Sequence, residues 1–450
     1  MKDMALGGTE LTVTRSDFPE DFLFSTATSA YQIEGHSFGG AGRTHWDWFA
    51  EIPGRVARFE TGAVACDHYH RWAEDLDLIA GAGLDAYRFS TSWGRIMPDG
   101  ETVNPEGLDF YDRLVDGMLE RGIKPFATLY HWELPEALHH RGGWTERDTA
   151  HRFAEFTRIV AERLGDRLHA TATINELWCV AWLSHFHGFH APGMATLRDG
   201  VRAMHHVGLA HGLSATVLRE LGVRNVGAAP NFEYVLPHTD TDEDRAAARL
   251  YDGIYNRWFL SAMFRGEYPE DVLKGFAPYM PDGWEDDLRV IHQPLDWLGV
   301  NYYTCNRVSG GRESGAERWP YLMTHKGDLP QTAMGWEICP EGLDYTLRRI
   351  AAEFTGDTPL IITENGLANP DTPTRPDLER ISYTDLHLRA CLSAIAHGVP
   401  LRGYTAWSLL DNYEWTFGYE KRFGLVHVDF DTQLRTPKAS YHALARALAR

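Results

Sequence analysis

The chain has 450 residues, 44% of them hydrophobic and 12% aromatic, and carries a formal net charge of -20 at pH 7. Such acidity repels phosphate backbones and anionic lipid, which excludes nucleic acid and membrane surfaces as partners. The composition is that of a soluble globular protein with room for a large core, and it excludes a disordered chain.

Taken in chain order, residues 1–20 are polar and contain no basic stretch leading into an apolar run, so no secretion signal is expected. A first buried strand is predicted at 22–27, a helix at 68–80, a strand at 84–90 and a helix at 108–121. A strand at 125–130, a helix at 145–164, a strand at 170–174 and a helix at 200–221 follow. The remaining strands are predicted at 226–232, 295–303, 359–363 and 403–409, with a helix at 383–397. Most of the strands are continuously apolar, as in sheets buried on both faces, and alternation with helices implies parallel pairing. Eight repeats predict an α/β fold, a closed (β/α)8 TIM barrel with extended βα loops. No composition shift or linker divides the chain, so residues 1–450 are expected to form a single catalytic domain. The polar stretch 310–335, between the sixth and seventh strands, reads as an active-site loop. No apolar run reaches the length of a membrane span, and five scattered cysteines fit reduced thiols, which points to the cytoplasm. Oligomeric state leaves no mark in the sequence.

At or just past the strand ends stand Gln32, Arg88, His131, Asn175 with Glu176, Asn231, Asn301 with Tyr303, Glu364, and Trp407 followed by Glu414. In a barrel these ends converge on one face, where chemistry is done. Glu176 follows Thr173-Ile174-Asn175 and Glu364 follows Ile361-Ile362-Thr363. Paired carboxyls at a barrel mouth suit glycosidic cleavage, in which one donates a proton to the leaving oxygen and the other attacks or stabilises the anomeric carbon. Many of the 15 Trp and 19 Tyr pack the core, and others are expected to offer faces to sugar rings.

The motifs FLFSTATSAYQIEG at 22–35, YRFSTSW at 87–93, TLYHWELP at 128–135, GVNYYT at 299–304, MGWEICPEGL at 334–343, ITENG at 362–366 and WSLLDNYEW at 407–415 together resemble glycoside hydrolase family 1, over nearly the whole length. That resemblance implies a retaining β-glycosidase, foremost a β-glucosidase with β-galactosidase or β-fucosidase side activity, that acts on a small glycoside without cofactor or metal. By matching motif, Glu364 is the expected nucleophile, supported by Arg88 and Tyr303, and Glu176 the acid/base. Retention calls for carboxyl groups about 5 to 5.5 Å apart. Gln32, His131, Asn175, Asn301, Trp407, Glu414, Trp415 and Phe423 are expected around the nonreducing sugar. Trp178 and Trp336, with Cys179 and His190 nearby, are expected on the aglycone side. Glu414 would accept bonds from the 4- and 6-hydroxyls and repel a 6-phosphate.

One departure stands out: the family usually has Pro after the acid/base, and this chain has Leu177. Glu133, where Asp is more usual, and Arg43-Thr44-His45 before Trp46 are lesser ones. Leu177 leaves room for a carbohydrate-binding protein with impaired catalysis, and a transglycosidase would use the same intermediate. The run Cys66-Asp67-His68-Tyr69-His70 could suggest a metal, but it opens a helix instead of ending a strand, and no metal is expected there.

Overall fold

The computed structural model describes residues 6–311, 319–370, 372 and 374–449. Eight parallel strands form the centre: β1 (Leu23–Ala27), β2 (Ala86–Ser90), β3 (Lys124–Tyr130), β4 (Ala170–Asn175), β5 (Val226–Ala229), β6 (Trp297–Ser309), β7 (Leu360–Asn365) and β8 (Leu401–Trp407). Each pairs with the next, β5 pairs with β6, and β8 returns to β1, so the sheet closes into a barrel. Every residue of β2 and β4 is buried, including Arg88, Thr171, Thr173 and Asn175, so both faces of these strands are covered.

Helices cover the outside: α1 (His68–Gly81), α2 (Pro105–Glu120), α3 (Arg147–Leu164), α4 (Leu197–Glu220), α5 (Trp284–Ile291), α6 (Pro340–Ile350), α7 (Leu378–Ala396) and α8 (Ala439–Ala447). Their starts follow local chemistry. Proline opens α2 and α6, where its missing N–H costs nothing, and the Thr196 hydroxyl accepts from Asp199 N at 3.1 Å to cap α4. The third helix begins at Arg147 and not at 145, because residues Gly143–Thr145 form a separate turn of 3-10 helix.

The barrel floor is plugged by Phe126 and Trp297, whose rings meet edge to face at 4.9 Å among Ala170, Ala172 and Ala229. Removing an indole of that size from water contributes roughly 4–6 kcal/mol of transfer free energy. Gly299 is required by close approach: a Cβ there would lie 2.6 Å from Thr363 Oγ1 and 2.9 Å from the Ala228 carbonyl.

Four further expected segments need correction. The fifth strand does not run through 226–232. It stops at Ala229, and Pro230, which has no N–H for the ladder, separates it from a second strand, Asn231–Pro237. The sixth strand extends to Ser309 because that second strand pairs along its outer half. Of the expected 310–335 loop, residues 312–318 lie outside the described residues, and Met323–His325 form a short strand antiparallel to Arg307–Ser309. The eighth strand spans Leu401–Trp407, ending where the Trp407–Ser408 peptide is cis.

Candidate active site

The strand ends bring residues far apart in sequence to one face. Asn301 lies opposite Glu364 across β6 and β7, and Ala27 is level with both Arg88 on β2 and Trp407 on β8. The pairing slips at these ends, between Val300 and Asn301 and between Ala172 and Asn175, so the side chains are turned out of the regular pleat.

Glu364 is held on both oxygens. Arg88 Nη1 donates to Oε1 at 2.7 Å and to the Thr363 carbonyl at 3.2 Å, and the Tyr303 hydroxyl donates to Oε2 at 2.8 Å. The other arm of Arg88, Nη2, donates to Asn175 Oδ1 at 2.7 Å, which fixes the guanidinium plane. Behind the carboxylate, the Asn365 amide donates to the Tyr302 carbonyl at 2.6 Å, and the Tyr404 hydroxyl donates to Asn365 Oδ1 at 2.7 Å. A Cβ on the following Gly366 would strike the Trp407 carbonyl, so only glycine lets β7 leave the site here.

Glu176 has a different environment. It is 6% exposed, and its Oε1 accepts from Asn301 Nδ2 at 2.8 Å. The same amide nitrogen donates to Asn175 Oδ1 at 2.9 Å, while Thr363 Oγ1 donates to Asn301 Oδ1 at 2.6 Å. Asn301 therefore links the two glutamate strands through one side chain. Glu176 itself has a left-handed backbone, φ +50°, and Leu177 occupies the first helical position after it. At that position an N–H has no intrahelical acceptor, so proline and leucine differ little in the bonds they make there.

Electrostatics separate the two acids. Burial, reinforced by the charge of Glu364, pushes Glu176 up to about 8, against the Asn301 amide and the Cys179 thiol. Burial also raises Glu364, but Arg88, Tyr303 and Asn301 all favour its charged form. The proton the pair shares at neutral pH consequently rests on Glu176. Glu414 is likewise pushed up to about 8, by burial and then by the charges of Glu364 and Glu176. His131 is held neutral by burial and the nearby Arg88 charge, so its Nε2 accepts from Asn175 Nδ2 at 3.1 Å.

A cavity of about 1000 Å³ opens over these groups. Its wall includes Glu176, Glu364, Tyr303, Asn301, His131, Trp407, Glu414, Trp415 and Phe423, together with Trp178 and Trp336. His131 stacks on Trp407 at 5.6 Å and on Trp415 at 6.1 Å, while Trp336 lies 5.3 Å from Tyr303 and 6.2 Å from Phe423. Gln32, Arg88 and Asn175 stand behind that wall. The Gln32 amide donates to the Tyr413 carbonyl at 2.8 Å and to Glu414 Oε2 at 3.4 Å. Cys179 and His190 line the cavity as well, and the Asn231 amide reaches Cys179 Sγ at 3.6 Å.

Sequence reading missed several members. Trp132, next to His131, lines the cavity, and its indole donates to the Asn175 carbonyl at 3.1 Å. Its position directly after a strand-end residue was the available signal. Glu233, Tyr251, Tyr255 and Asn306 also line the cavity, and nothing short of the folded strand Asn231–Pro237 would have placed them there. The Cys66 run is dispersed: His68 Nδ1 meets Asp75 at 2.7 Å, His70 Nδ1 meets Asp67 at 2.6 Å, and the Cys66 thiol donates to the Asp411 carbonyl at 3.1 Å. Among the described residues, no group of three or more His, Cys, Asp or Glu is placed to hold a metal. No described helix is long and apolar enough to cross a membrane.

A parallel barrel with two unlike carboxyls at its carboxyl-terminal mouth, in an aromatic cavity, defines a glycoside hydrolase. The chain belongs to glycosyl hydrolase family 1, whose model matches residues 14–448. It is 44% identical to β-glucosidase A of Thermotoga maritima over 431 residues, covering 94% of this chain and 96% of the relative. It is 43% identical to a bifunctional β-D-glucosidase/β-D-fucosidase of Bifidobacterium breve over 464 residues, covering 96% and 98%. A solved structure of the family 1 β-glucosidase of Thermotoga maritima, in complex with isofagomine lactam, superposes with a TM-score of 0.92 at 42% identity, covering 97% of this chain and 99% of that one.

Proposed function

We propose that this hydrolase is a retaining β-glucosidase working by double displacement, with Glu364 as nucleophile and Glu176 as acid/base. The asymmetry of the pair carries the reading: Glu364 has a cation and a phenol on its two oxygens, and Glu176 has burial and one amide. Glu364 attacks the anomeric carbon while Glu176 gives its proton to the departing oxygen, leaving a covalent glycosyl-enzyme. Glu176, now a carboxylate, takes a proton from water as that water attacks, and the sugar leaves with its β configuration and with Glu364 free again. Glucose preference is supported by the β-glucosidase relatives, and fucoside cleavage as a second activity by the Bifidobacterium breve relative.

Around the nonreducing ring, His131 and Glu414 supply polar contacts, Asn175 and Gln32 hold those two side chains from behind, and Trp407 forms an aromatic floor. A carboxyl at Glu414 suits the 4- and 6-hydroxyls, and in its ionised form it repels a 6-phosphate. The five cysteines are all buried and none is in a disulfide, which supports a cytoplasmic enzyme, and the one closed barrel supports a single catalytic domain. Proton NMR during hydrolysis of an aryl β-glucoside tests the stereochemistry. The β-anomer is expected first, with the α-anomer appearing only by mutarotation; α-glucose as the initial product would contradict a double displacement.

A further inference from the structure

The residue before the nucleophile is bonded more specifically than strand packing requires. Where β6 and β7 slip, Val300 is opposite Ile362 but Asn301 is opposite Glu364, which leaves Thr363 as the extra residue of a bulge. Thr363 is held on two sides. Arg88 Nη1 donates to its carbonyl at 3.2 Å, and its hydroxyl donates to Asn301 Oδ1 at 2.6 Å. Room for this side chain comes from Gly299, since a Cβ there would lie 2.6 Å from Thr363 Oγ1 and 2.8 Å from its methyl carbon. Thr363 and Asn301 are both completely buried, so bulk water does not replace a partner that either one loses.

The direction of the Asn301 amide matters because one end donates and the other only accepts. Its Nδ2 donates to Glu176 Oε1 at 2.8 Å and to Asn175 Oδ1 at 2.9 Å. Among the described residues, the Thr363 hydroxyl is the one donor that meets its Oδ1. A turned amide would set an oxygen against Glu176 in place of an N–H, and that N–H favours the charged form of Glu176 against burial. The ionisable groups facing Glu176 come from several elements: Arg88 on β2, Tyr303 on β6, Glu364 on β7, Glu414 after β8, and Cys179 and Tyr255 from the helical turns beside it. Thr363 adds no charge to this set, and its hydroxyl reaches Glu176 only through Asn301.

We infer that Thr363 is a positioning residue for the acid/base: its hydroxyl locks the Asn301 amide with the NH2 end toward Glu176, and so governs how readily Glu176 gives up its proton. This rests on Glu176 being the acid/base. Without the hydroxyl, Asn301 Oδ1 becomes a buried acceptor with no donor, and the amide relieves that loss by turning, which weakens its bond to Glu176. The carboxylate of Glu176 then lacks a donor that the neutral acid does not need, and its proton is held more tightly.

The test follows, across pH, the ratio of kcat/KM for phenyl β-glucoside to kcat/KM for 2,4-dinitrophenyl β-glucoside. Only the phenyl leaving group needs a proton from Glu176, whereas Glu364 and Glu414 meet the same glucosyl ring in both substrates and cancel in the ratio. In the parent the ratio should fall as Glu176 deprotonates, with a midpoint near pH 8. Thr363→Val keeps the shape and removes the hydroxyl, and its midpoint is expected to move up by about one pH unit, the size of one hydrogen bond to a charged group. Thr363→Ser keeps the hydroxyl and should stay within about 0.3 unit of the parent. A merely structural role would lower both glucosides together and leave the midpoint alone. A Thr363→Val midpoint within about 0.3 unit of the parent, or below it, therefore overturns the proposal, as does a Thr363→Ser midpoint displaced as far as that of Thr363→Val. If Thr363→Val does not fold, Thr363→Ala is read by the same midpoint and the same limits. A parent ratio that does not change with pH would overturn the acid role of Glu176 beneath the inference, a separate failure.

Discussion

Replacing Glu364 with Gln is expected to lower kcat on every β-glucoside by about four orders of magnitude or more, because the amide keeps the shape and loses the attacking electron pair. At about 1.4 kcal/mol per factor of ten, that corresponds to roughly 5 kcal/mol or more of lost transition-state stabilisation. The fold should survive. The carbonyl oxygen of the new amide can still accept a hydrogen bond in this setting, and Arg88 keeps its bonds to Asn175 and the Thr363 carbonyl. Circular dichroism and the thermal midpoint check that half, and steady-state kinetics with an activated aryl glucoside checks the other. A second consequence separates a nucleophile from a structural partner of Arg88. The charge of Glu364 is the second largest cause of the raised Glu176, after burial, so its removal should lower the Glu176 proton affinity. In Glu364→Ala, azide placed in the vacated space should yield an α-glycosyl azide, since it attacks from the side the carboxylate had occupied. No azide product, with activity reduced only modestly, would assign Glu364 a supporting role.

Removing the other carboxyl should give a different pattern. Glu176→Ala is expected to lower kcat/KM for substrates with poor leaving groups by about 10²–10⁴ and to spare dinitrophenyl glucoside, whose leaving group needs no proton. The second step still lacks its base, so the glycosyl-enzyme should accumulate with the activated substrate, and azide should release it as a β-glycosyl azide. The pH profile adds an independent reading. A carboxyl with a folded value of about 8 is protonated, and competent as an acid, below that pH and loses its proton above it. Parent kcat/KM should therefore fall on the alkaline side near pH 8 and on the acid side as Glu364 takes up a proton. Glu414 is also pushed up to about 8, so the alkaline limb alone does not identify its owner. Loss of that limb in Glu176→Ala with dinitrophenyl glucoside identifies it; a limb that persists assigns it to Glu414. Equal losses across leaving groups would contradict the acid role.

The barrel was legible because burial on both faces writes itself into most of its strands as a largely apolar run, and the eight segments fall where the strands are, the sixth ending six residues later than expected. The strand ends were legible as well, since Arg88, Glu176, Asn301 and Glu364 are charged or amide side chains at or close to the ends of the expected buried strands. What periodicity cannot express is contact between distant positions. Asn301 reads as one more polar strand end, yet it bonds Glu176, 125 residues away, and Thr363, 62 residues away. Pro230 interrupts what reads as a single strand, and a slip in the ladder beside Glu233 depends on Asn256 from another element. Leu177 reads as a serious departure in the sequence. In the fold it occupies a helix start where the N–H has no intrahelical acceptor, and its side chain is fully buried, so the departure touches packing more than hydrogen bonding.

Labelling with a 2-deoxy-2-fluoro-β-glucoside carrying a good leaving group tests the central claim most directly, because the fluorine slows release of the intermediate and lets it be trapped. One equivalent of added mass per chain is expected, located by peptide mapping on Glu364 and lost again as activity returns with an acceptor. Turnover without any trapped adduct, or an adduct on a residue other than Glu364, would contradict it.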